Sequence, residues 1–471
     1  MGQAQSTSET SFSECEHPGP IQSDNPMYNG NSNHLVPYHN GLTLQQHIFV
    51  NAYIRLPPSL DDNVTLDYIR MSKVMFVMRG LPRSGRRVVV QHIQSLFSDA
   101  VVCSTSEYFV KCERYEFDPN KLDEAKIFCQ EKAQSACEAS THVVVIDNTN
   151  MKKSEMKYYF RLAADTRYVV VLVEPWKFNV EQLVQRCHHA EDIEQLCTQF
   201  QHWEPIIPLY FGWFLNEADS HMLKLVGMAY LEECLRVPEF AKDFHSFAHA
   251  SDIRGMLDYY LMPESCKGRM LHCTSKFCSF GDVPGSFEYT SSKNVLEGCG
   301  QCYKLCIVGF VMTPRTFGAR VKLDAEELKL WDQESESQLS TSPGVSSGVR
   351  HLVHSSTHQN LTVINSMRES PWYPHCHATL VSSEELEQSF QPTKGKGSRA
   401  HITLGCAEGI AAVTTGYDLL DVIECEETPD IASRCRTFSL PRGWLRDYGK
   451  SRWVLYMCRE ITVSSLFTGY Y

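Results

Sequence analysis

Short unbroken apolar runs alternate with longer amphipathic stretches in the first half of the chain. Strands are predicted over 74–78, 143–146 and 168–173, and a helix is predicted over 121–140. Unbroken apolar runs are typical of strands covered on both faces, and their alternation with helices predicts a parallel sheet with crossover helices. Residues 71–200 are therefore predicted to form an α/β domain.

The second half of the chain has a different pattern of predicted elements. A helix is predicted over 216–235, and beyond residue 268 short strands dominate. These strands are predicted around His272 and over 304–311, 320–323, 401–406, 453–458 and 461–467. Clustered short strands beside segregated helices are typical of an α+β domain. We assign residues 205–471 to it.

Two polar stretches interrupt these patterns. Residues 1–70 are rich in Ser, Asn, Gln and Pro and predict a disordered tail. Residues 333–396 are rich in Ser, Thr, Gln and His and predict a long disordered insertion in the second domain. The insertion either overhangs the cleft of that domain or forms a surface excursion, and we favour the excursion.

Composition narrows the class of protein. A chain of 471 residues with 43% apolar residues is long enough for two or three domains. No run reaches the ~20 apolar residues of a membrane-spanning helix, and no secretory leader is visible. We therefore expect a cytoplasmic protein whose 19 cysteines stay reduced. Cys299, Cys302 and Cys306 lack a convincing fourth ligand, so neither a metal nor a cofactor is predicted.

Net charge argues against general nucleic-acid binding. The formal charge is −12, so any contact with RNA must come from a local basic patch. The run 394–399, which contains Lys394, Lys396 and Arg399, is the obvious candidate.

Two copies of His-x-Thr carry the candidate chemistry. His272 with Thr274, and His401 with Thr403, lie in strand-like runs where residues two apart share a face. Two histidines can act as general acid and general base, and hydroxyls can donate hydrogen bonds to an anion. These groups suit the opening of a cyclic phosphate by water. The alternative is a histidine satisfied on a half-buried strand. A third copy at His377, in a polar stretch, shows that the pattern also arises by chance.

Longer stretches resemble one family. The chain resembles the vertebrate 2′,3′-cyclic-nucleotide 3′-phosphodiesterases, with a fish-type member as a candidate, within the two-histidine phosphoesterase superfamily. The resemblance covers about 70–471 apart from the insertion. It is carried by the stretches 76–82 (FVMRGLP), 172–175 (LVEP), 208–215 (PLYFGWFL), 271–274 (LHCT), 276–278 (KFC), 318–321 (GARV), 397–401 (GSRAH) and 466–471 (LFTGYY).

The resemblance implies an activity and a fold. It implies hydrolysis of nucleoside 2′,3′-cyclic phosphates, as mononucleotides or RNA ends, to 2′-phosphates without a metal. His401 would act as the base and His272 as the acid. The catalytic domain would have two antiparallel lobes related by a pseudo-two-fold axis, with one His-x-Thr in each and the cleft between them. The alternative is a non-catalytic adaptor for membrane, cytoskeleton or RNA that retains the fold.

The resemblance also points to residues that line the nucleotide site. These are Tyr210, Phe277, Gly397, Arg399 and Val413. Phe277 would stack on a base, Arg399 would share the face of His401 on a strand, and Gly397 would let the backbone approach the ligand. Core packing is the alternative for Tyr210, Phe277 and Val413.

A glycine-containing turn after the first strand has the outline of a phosphate-binding loop. The loop motif needs Lys and then Ser or Thr after its second glycine, whereas Arg86 and Arg87 follow Gly85 here. Gly80 begins the turn, and Asp147 is a candidate metal-binding carboxylate. The resemblance implies a kinase-like P-loop domain. We expect kinase activity to be lost, while nucleotide or RNA phosphate binding by the arginines stays open.

The amino terminus matches a lipidation pattern. The run MGQAQS would make Gly2 the acceptor of a myristoyl group, and a chance Met-Gly start is the alternative. Together with the resemblance to a myelin family, this predicts a peripheral membrane lipoprotein.

Overall fold

The chain divides into two compact units, residues 1–206 and 207–471. The structure is a computed structural model. It describes residues 60–111, 114–175, 183–184, 190–262, 270–332, 395–428 and 435–471, together with two short strands in the N-terminal segment. Most of the predicted tail and all but the end of the predicted insertion lie outside these residues.

A parallel sheet forms the centre of the first unit. The strands of this unit are β1 (Pro37–Tyr38), β2 (Leu42–Thr43), β3 (Val74–Met78), β4 (Val101–Cys103), β5 (Val110–Lys111), β6 (Arg114–Tyr115), β7 (Val143–Asp147) and β8 (Val169–Val173). The order β4-β7-β3-β8 is parallel throughout, whereas β1–β2 and β5–β6 are small antiparallel pairs. All five residues of β3 are buried, as its unbroken apolar run requires. The predicted parallel sheet is confirmed.

Helices connect and cover this sheet. They are α1 (Asn63–Arg70), α2 (Arg86–Leu96), α3 (Leu122–Glu138), α4 (Lys153–Thr166) and α5 (Ala190–Gln201). The helix predicted over 121–140 is confirmed as α3. Helix α1 lies inside the segment predicted as a disordered tail, so that prediction was wrong at its end. The carboxylate of Asp62 caps α1, and Leu66 and Ile69 bury one face of it.

The second unit is built on one antiparallel sheet of eight strands. They are β9 (Tyr210–Leu215), β10 (His272–Phe277), β11 (Cys302–Met312), β12 (Thr316–Lys322), β13 (His401–Cys406), β14 (Arg436–Leu440), β15 (Gly443–Asp447) and β16 (Trp453–Tyr470). The order is β11-β12-β13-β10-β9-β16-β15-β14, and a further pairing joins β11 to β16. Six strands therefore close into a ring, and closure satisfies the edges that an open sheet would leave unpaired.

The two motif strands lie side by side in this closed sheet. Strands β10 and β13 are hydrogen-bonded neighbours, with Cys273 opposite Ile402. They join the strands β11-β12-β13 on one side to β10-β9-β16 on the other, so each half of the ring carries one His-x-Thr. The pseudo-two-fold axis between two lobes stays a prediction.

Strand β16 corrects a second prediction. Two strands were predicted over 453–458 and 461–467, but a single strand runs through both. Its register against β11 shifts, because Ile307 pairs with Ile461 and Gly309 pairs with Tyr456. A bulge of this kind bends a strand and lets it follow the curvature of the ring. Strand β12 also begins earlier than the predicted 320–323.

Helices surround the closed sheet and complete its core. They are α6 (Glu217–Cys234), α7 (Pro238–Ala248), α8 (Ile253–Tyr259), α9 (Ser286–Ser291), α10 (Lys293–Gly298), α11 (Ala325–Leu328) and α12 (Thr414–Glu427). The predicted helix over 216–235 is confirmed as α6. Inward-facing residues such as Trp213, Cys273, Ile402 and Phe467 are completely buried. The side chains that alternate with them on the same strands point to the opposite face of the sheet.

Candidate active site

The two motif strands present their polar residues on one face. On β10 the burial alternates, with His272 and Thr274 half-buried and Cys273 fully buried. Strand β13 repeats the pattern around Ile402, and Cys273 lies opposite Ile402 in the antiparallel register. Paired residues share a face, so the two histidines and the two threonines of the motifs lie together on the face opposite the core.

Each histidine is held in the same way. The Nδ1 atom of His272 lies 3.2 Å from the carbonyl oxygen of Met270, and Nδ1 of His401 lies 2.8 Å from that of Arg399. A carbonyl oxygen only accepts, so Nδ1 must carry the hydrogen in both rings. In the neutral ring Nε2 then holds the lone pair, and this is the atom that can accept or donate a proton.

An aromatic stack surrounds His272. The ring of Tyr210 is nearly parallel to the imidazole at a centroid distance of 4.8 Å, and Phe214 is stacked at 5.3 Å. Tyr470 continues the stack beyond Tyr210 at 5.1 Å. Stacking of this kind orients the imidazole ring. Sequence analysis missed Phe214 and Tyr470. Strand alternation could have indicated Phe214, which is four residues after Tyr210 and so on the same face, whereas Tyr470 is brought beside Tyr210 by the pairing of β16 with β9.

His401 has a different electrostatic environment. The pKa of His401 is lowered to about 4. Burial is the largest cause, and the positive charges of Arg399 and His272 add to it, against the opposing effect of the hydrogen bond to the Arg399 carbonyl. The ring lies against Gly416, where an added Cβ would come within 3.0 Å of Cε1. His401 is consequently neutral at pH 7, the state a proton acceptor needs. Gly416 is a third residue that sequence analysis missed.

Thr403 is tied to the beginning of α12. Its Oγ1 lies within hydrogen-bond distance of two groups, the carbonyl oxygen of Ala412 at 3.1 Å and Oγ1 of Thr415 at 2.9 Å. Thr274 lies opposite Gly212 of β9, where a Cβ would come within 2.5 Å of the Cys273 carbonyl oxygen. A glycine is therefore needed beside Thr274.

A bulge decides where Phe277 lies. The register between β9 and β10 shifts between Thr274 and Lys276, so the alternation skips one residue. Lys276 is buried and forms an ion pair with Asp332. Phe277 returns to the outer face, with 41% of its surface exposed. Simple alternation would have put Phe277, five residues after His272, on the opposite face.

Val413 and Tyr210 also lie close to the motif residues. Val413 is 63% exposed and caps α12, next to the Ala412 carbonyl that Thr403 contacts. Tyr210 is half-buried and lies opposite both Phe277 and Tyr470. Core packing, the alternative for these positions, does not apply to Val413 or Phe277, because both are exposed.

Two expectations for the segment before His401 change. Arg399 lies in a turn and not on the strand, and it is 7% exposed; it reaches His401 through its carbonyl and its charge. Gly397 has a φ of +84°, and a Cβ there would come within 2.7 Å of Leu328. This backbone conformation and this packing are sufficient to require glycine here, and the predicted approach to a ligand stays a prediction.

A buried ion pair lies beside His401. Arg320 is opposite His401 in the register of β12 and β13 and is 1% exposed. Its guanidinium makes a bidentate pair with Glu426 of α12, at 2.6 and 3.1 Å. Glu426 also accepts hydrogen bonds from the hydroxyls of Tyr448 and Tyr456. This network anchors the far end of α12, whose first turn contacts Thr403 and His401.

In the first unit, the side chain of Arg86 occupies the turn that resembles a phosphate-binding loop. The guanidinium of Arg86 donates to Asp147 at 2.6 Å and to the carbonyl oxygen of Gly80 at 2.7 Å. Gly85 has a φ of +86° and precedes α2, and Arg87 is exposed on that helix. The candidate metal carboxylate and the residue in the lysine position therefore neutralise each other.

Other predicted features fall outside this description. Gly2, His377 and residues 333–394 are not among the described residues. Within the described ranges, His, Cys, Asp and Glu form no group of three or more suited to a metal. None of the helices in the described part of the chain combines the length and apolar character that crossing a bilayer requires.

The fold and the site together define a class. A closed antiparallel sheet presents two His-x-Thr motifs on neighbouring strands, which is the arrangement that the two-histidine prediction requires. The model of the 2′,3′-cyclic nucleotide 3′-phosphodiesterase family matches residues 207–366 and 381–471, which is more than half of the chain and begins where the second unit begins. The chain belongs to this family.

Individual relatives agree with this assignment. The chain is 29% identical to the mouse 2′,3′-cyclic-nucleotide 3′-phosphodiesterase over 423 residues, which cover 88% of this chain and 86% of the relative. The rat protein of the same name is 28% identical over 424 residues, with the same shares covered. A shorter match, 33% identical over 137 residues, is to human NEDD4-binding protein 2 and covers 28% of this chain and 8% of that protein.

Proposed function

We propose that this protein hydrolyses nucleoside 2′,3′-cyclic phosphates to nucleoside 2′-phosphates by general acid–base catalysis with His272 and His401. The observation that carries the proposal is the shared face of the two motif strands. It brings together two imidazoles, each oriented by a carbonyl at Nδ1, and two threonine hydroxyls. Family membership supports the same reaction.

The two histidines take different roles in this proposal. His401, whose pKa is lowered to about 4, is neutral at pH 7 and accepts a proton from the attacking water through Nε2. His272, which stacks on Tyr210 and Phe214, takes the other role and gives its proton to the departing 3′ oxygen. The water adds to phosphorus as the bond to the 3′ oxygen breaks. Product release leaves the two protonation states reversed, and solvent restores them.

The anionic phosphate is stabilised by hydrogen-bond donors. Thr274 and Thr403 each donate to one of the two non-bridging oxygens, and the neighbouring charge of Arg399 adds to the attraction. With protonated His272 present, these groups balance the developing charge with no step that calls for a metal.

Exposed side chains around the motifs form the nucleoside pocket of the proposal. Phe277 is free to stack on a base, since it projects from the face that carries His272. Tyr210 shapes the wall between the base and the imidazole, and Val413 lines the side near Thr403. Gly397 acts indirectly, by forming the turn that positions Arg399.

For the first unit, we propose a kinase-like P-loop fold without kinase activity. The parallel strand order, with a glycine-containing turn between β3 and α2, supports the fold. Arg86 in the lysine position, bonded to Asp147, opposes binding of a magnesium nucleotide.

Partners of the whole chain belong to the same proposal. RNA ends with a cyclic phosphate share the chemistry of the mononucleotide substrate, so RNA is a candidate partner. Myristoylation at Gly2 would give marginal membrane binding, which fits a cytoplasmic protein that is peripheral at a membrane or at the cytoskeleton. A non-catalytic adaptor is the competing function. It has no need of two histidines with matched hydrogen bonds at Nδ1.

The deciding experiment is turnover by the full chain. Purified protein is incubated in EDTA with 2′,3′-cyclic AMP, and the product is identified by chromatography against 2′- and 3′-phosphate standards. Formation of the 2′-phosphate alone supports the proposal. A folded wild-type protein without turnover would favour the adaptor.

A further inference from the structure

Thr415, at the beginning of α12, touches the site without belonging to either motif. It is completely buried, and its Oγ1 lies 2.9 Å from Oγ1 of Thr403. Its methyl group packs over Gly318, where an added Cβ would come within 2.6 Å of Cγ2. Because Gly318 is the register partner of Thr403, Thr415 sits directly over this pair of residues.

The hydrogen bonds of Thr403 pose a problem for the reaction. A hydroxyl has one proton to donate, and in the structure Thr403 gives it to the Ala412 carbonyl oxygen or to Thr415. A threonine that stabilises the phosphate must instead turn this proton toward the substrate. Its oxygen would then face Thr415 as an acceptor.

We propose that the hydrogen bond between Thr403 and Thr415 reverses when the substrate binds. Thr403 turns its proton to a non-bridging oxygen of the phosphate, and Thr415 turns its own proton onto the oxygen of Thr403. Neither covalent O–H bond is broken. Each oxygen keeps its proton, and only the orientations of the two hydroxyls change. Thr415 is thus a positioning residue, and the inference rests on the proposed phosphodiesterase reaction.

Two physical reasons support the reversal. Hydrogen bonds in a chain polarise one another, so a hydroxyl that accepts from Thr415 becomes a better donor to the anion. Thr415 is also the more rigid of the two, since it is buried and packed against Gly318, and it can therefore fix the rotamer of Thr403.

Matched variants separate the hydroxyl of Thr415 from its packing. Thr415→Val keeps the shape and removes the hydroxyl, and Thr415→Ser keeps the hydroxyl and removes the methyl group. We expect kcat for 2′,3′-cyclic AMP to fall about tenfold in Thr415→Val, with little change in KM, because a hydrogen bond of ordinary strength is lost in the transition state. Thr415→Ser should stay close to wild type. Thr414→Val, on the same helical turn, is the control.

A double variant tests whether Thr415 acts through Thr403. In a Thr403→Val background, Thr415→Val should cause no further loss of kcat, since the donor it supports is gone. Equal losses in both backgrounds would show a structural role and overturn the inference. If the valine variant does not fold, Thr415→Ser and Thr415→Ala give the same comparison, since they differ only in the hydroxyl.

The outcomes also separate this inference from the proposed function. If the wild type is active and kcat is unchanged in Thr415→Val, the reversal of the Thr403–Thr415 hydrogen bond is overturned and the proposed function is not. A wild type that turns over no cyclic nucleotide would overturn both.

Discussion

Cys273 of β10 lies opposite Ile402 of β13, and both side chains point into the core of the closed sheet. This buried apolar pair determines that the flanking residues of both strands point the other way. The two histidines are thereby held on one surface by the packing of their neighbours. The motifs need no direct contact with each other to be aligned.

Loss of either histidine should nearly abolish turnover. We expect His272→Ala and His401→Ala each to lower kcat by roughly 10²–10⁴-fold, since a positioned acid or base contributes that much. His377→Ala, in the third His-x-Thr of the sequence, is the matched control and should keep wild-type activity. Steady-state kinetics with 2′,3′-cyclic AMP checks this. Comparable losses in all three variants would argue against the assignment.

The pH dependence should reflect the lowered pKa of His401. A base must be neutral to act, so kcat/KM should fall as pH drops through about 4, and it should hold from there toward neutrality. At higher pH the rate should fall again as the acid loses its proton. A descent that begins near the ordinary histidine value of 6.5 would contradict His401 as the base.

Removing the charge of Arg399 should move the acidic limb of the kcat/KM profile, where the rate falls at low pH. Arg399 lowers the pKa of His401, so Arg399→Gln should raise this pKa and shift the acidic limb of kcat/KM upward, while Arg399→Lys should leave it nearly in place. Because burial is the larger cause, the shift should recover only part of the distance to 6.5. A limb that stays fixed in Arg399→Gln would show that the charge is screened from the imidazole.

Gly416 leaves room for the ring of His401. In Gly416→Ala the new Cβ would lie within 3.0 Å of Cε1, so the ring must move and kcat should fall by the order of ten- to a hundredfold. Gly449→Ala serves as control, because a Cβ there meets nothing within 4 Å although its φ is +76°. This control should lose some stability to thermal unfolding and keep its rate. Unchanged kcat in Gly416→Ala would mean that the ring position is not critical.

Reversion of the phosphate-like turn should create nucleotide binding. Arg86→Lys with Arg87→Ser frees Asp147 from its ion pair and supplies the amine and hydroxyl of the loop motif. We expect this double variant to bind ATP in the presence of magnesium by calorimetry, whereas the wild type shows no binding. Adding Asp147→Ala to the double variant should weaken the magnesium-dependent part. Tight binding by the wild type would show that Arg86 does not block the turn.

The sequence by itself determined the local structure and the reacting groups. Unbroken apolar runs specified β3, β7 and β8, because such short runs are typical of the strands of a covered parallel sheet. The spacing of His272 and Thr274, and of His401 and Thr403, was enough to put each pair on one face of a strand. Both predictions depend only on backbone periodicity within a few residues.

Only the tertiary structure decided how these pieces meet. Strand pairing made the two motif strands neighbours in one sheet, and such pairing depends on contacts distant in sequence. A bulge returned Phe277 to the face of His272, and a turn placed Arg399 under His401. Thr415 and Gly416 joined the site from α12. Such long-range contacts set the burial and the charges that lower the pKa of His401, and no local pattern encodes them.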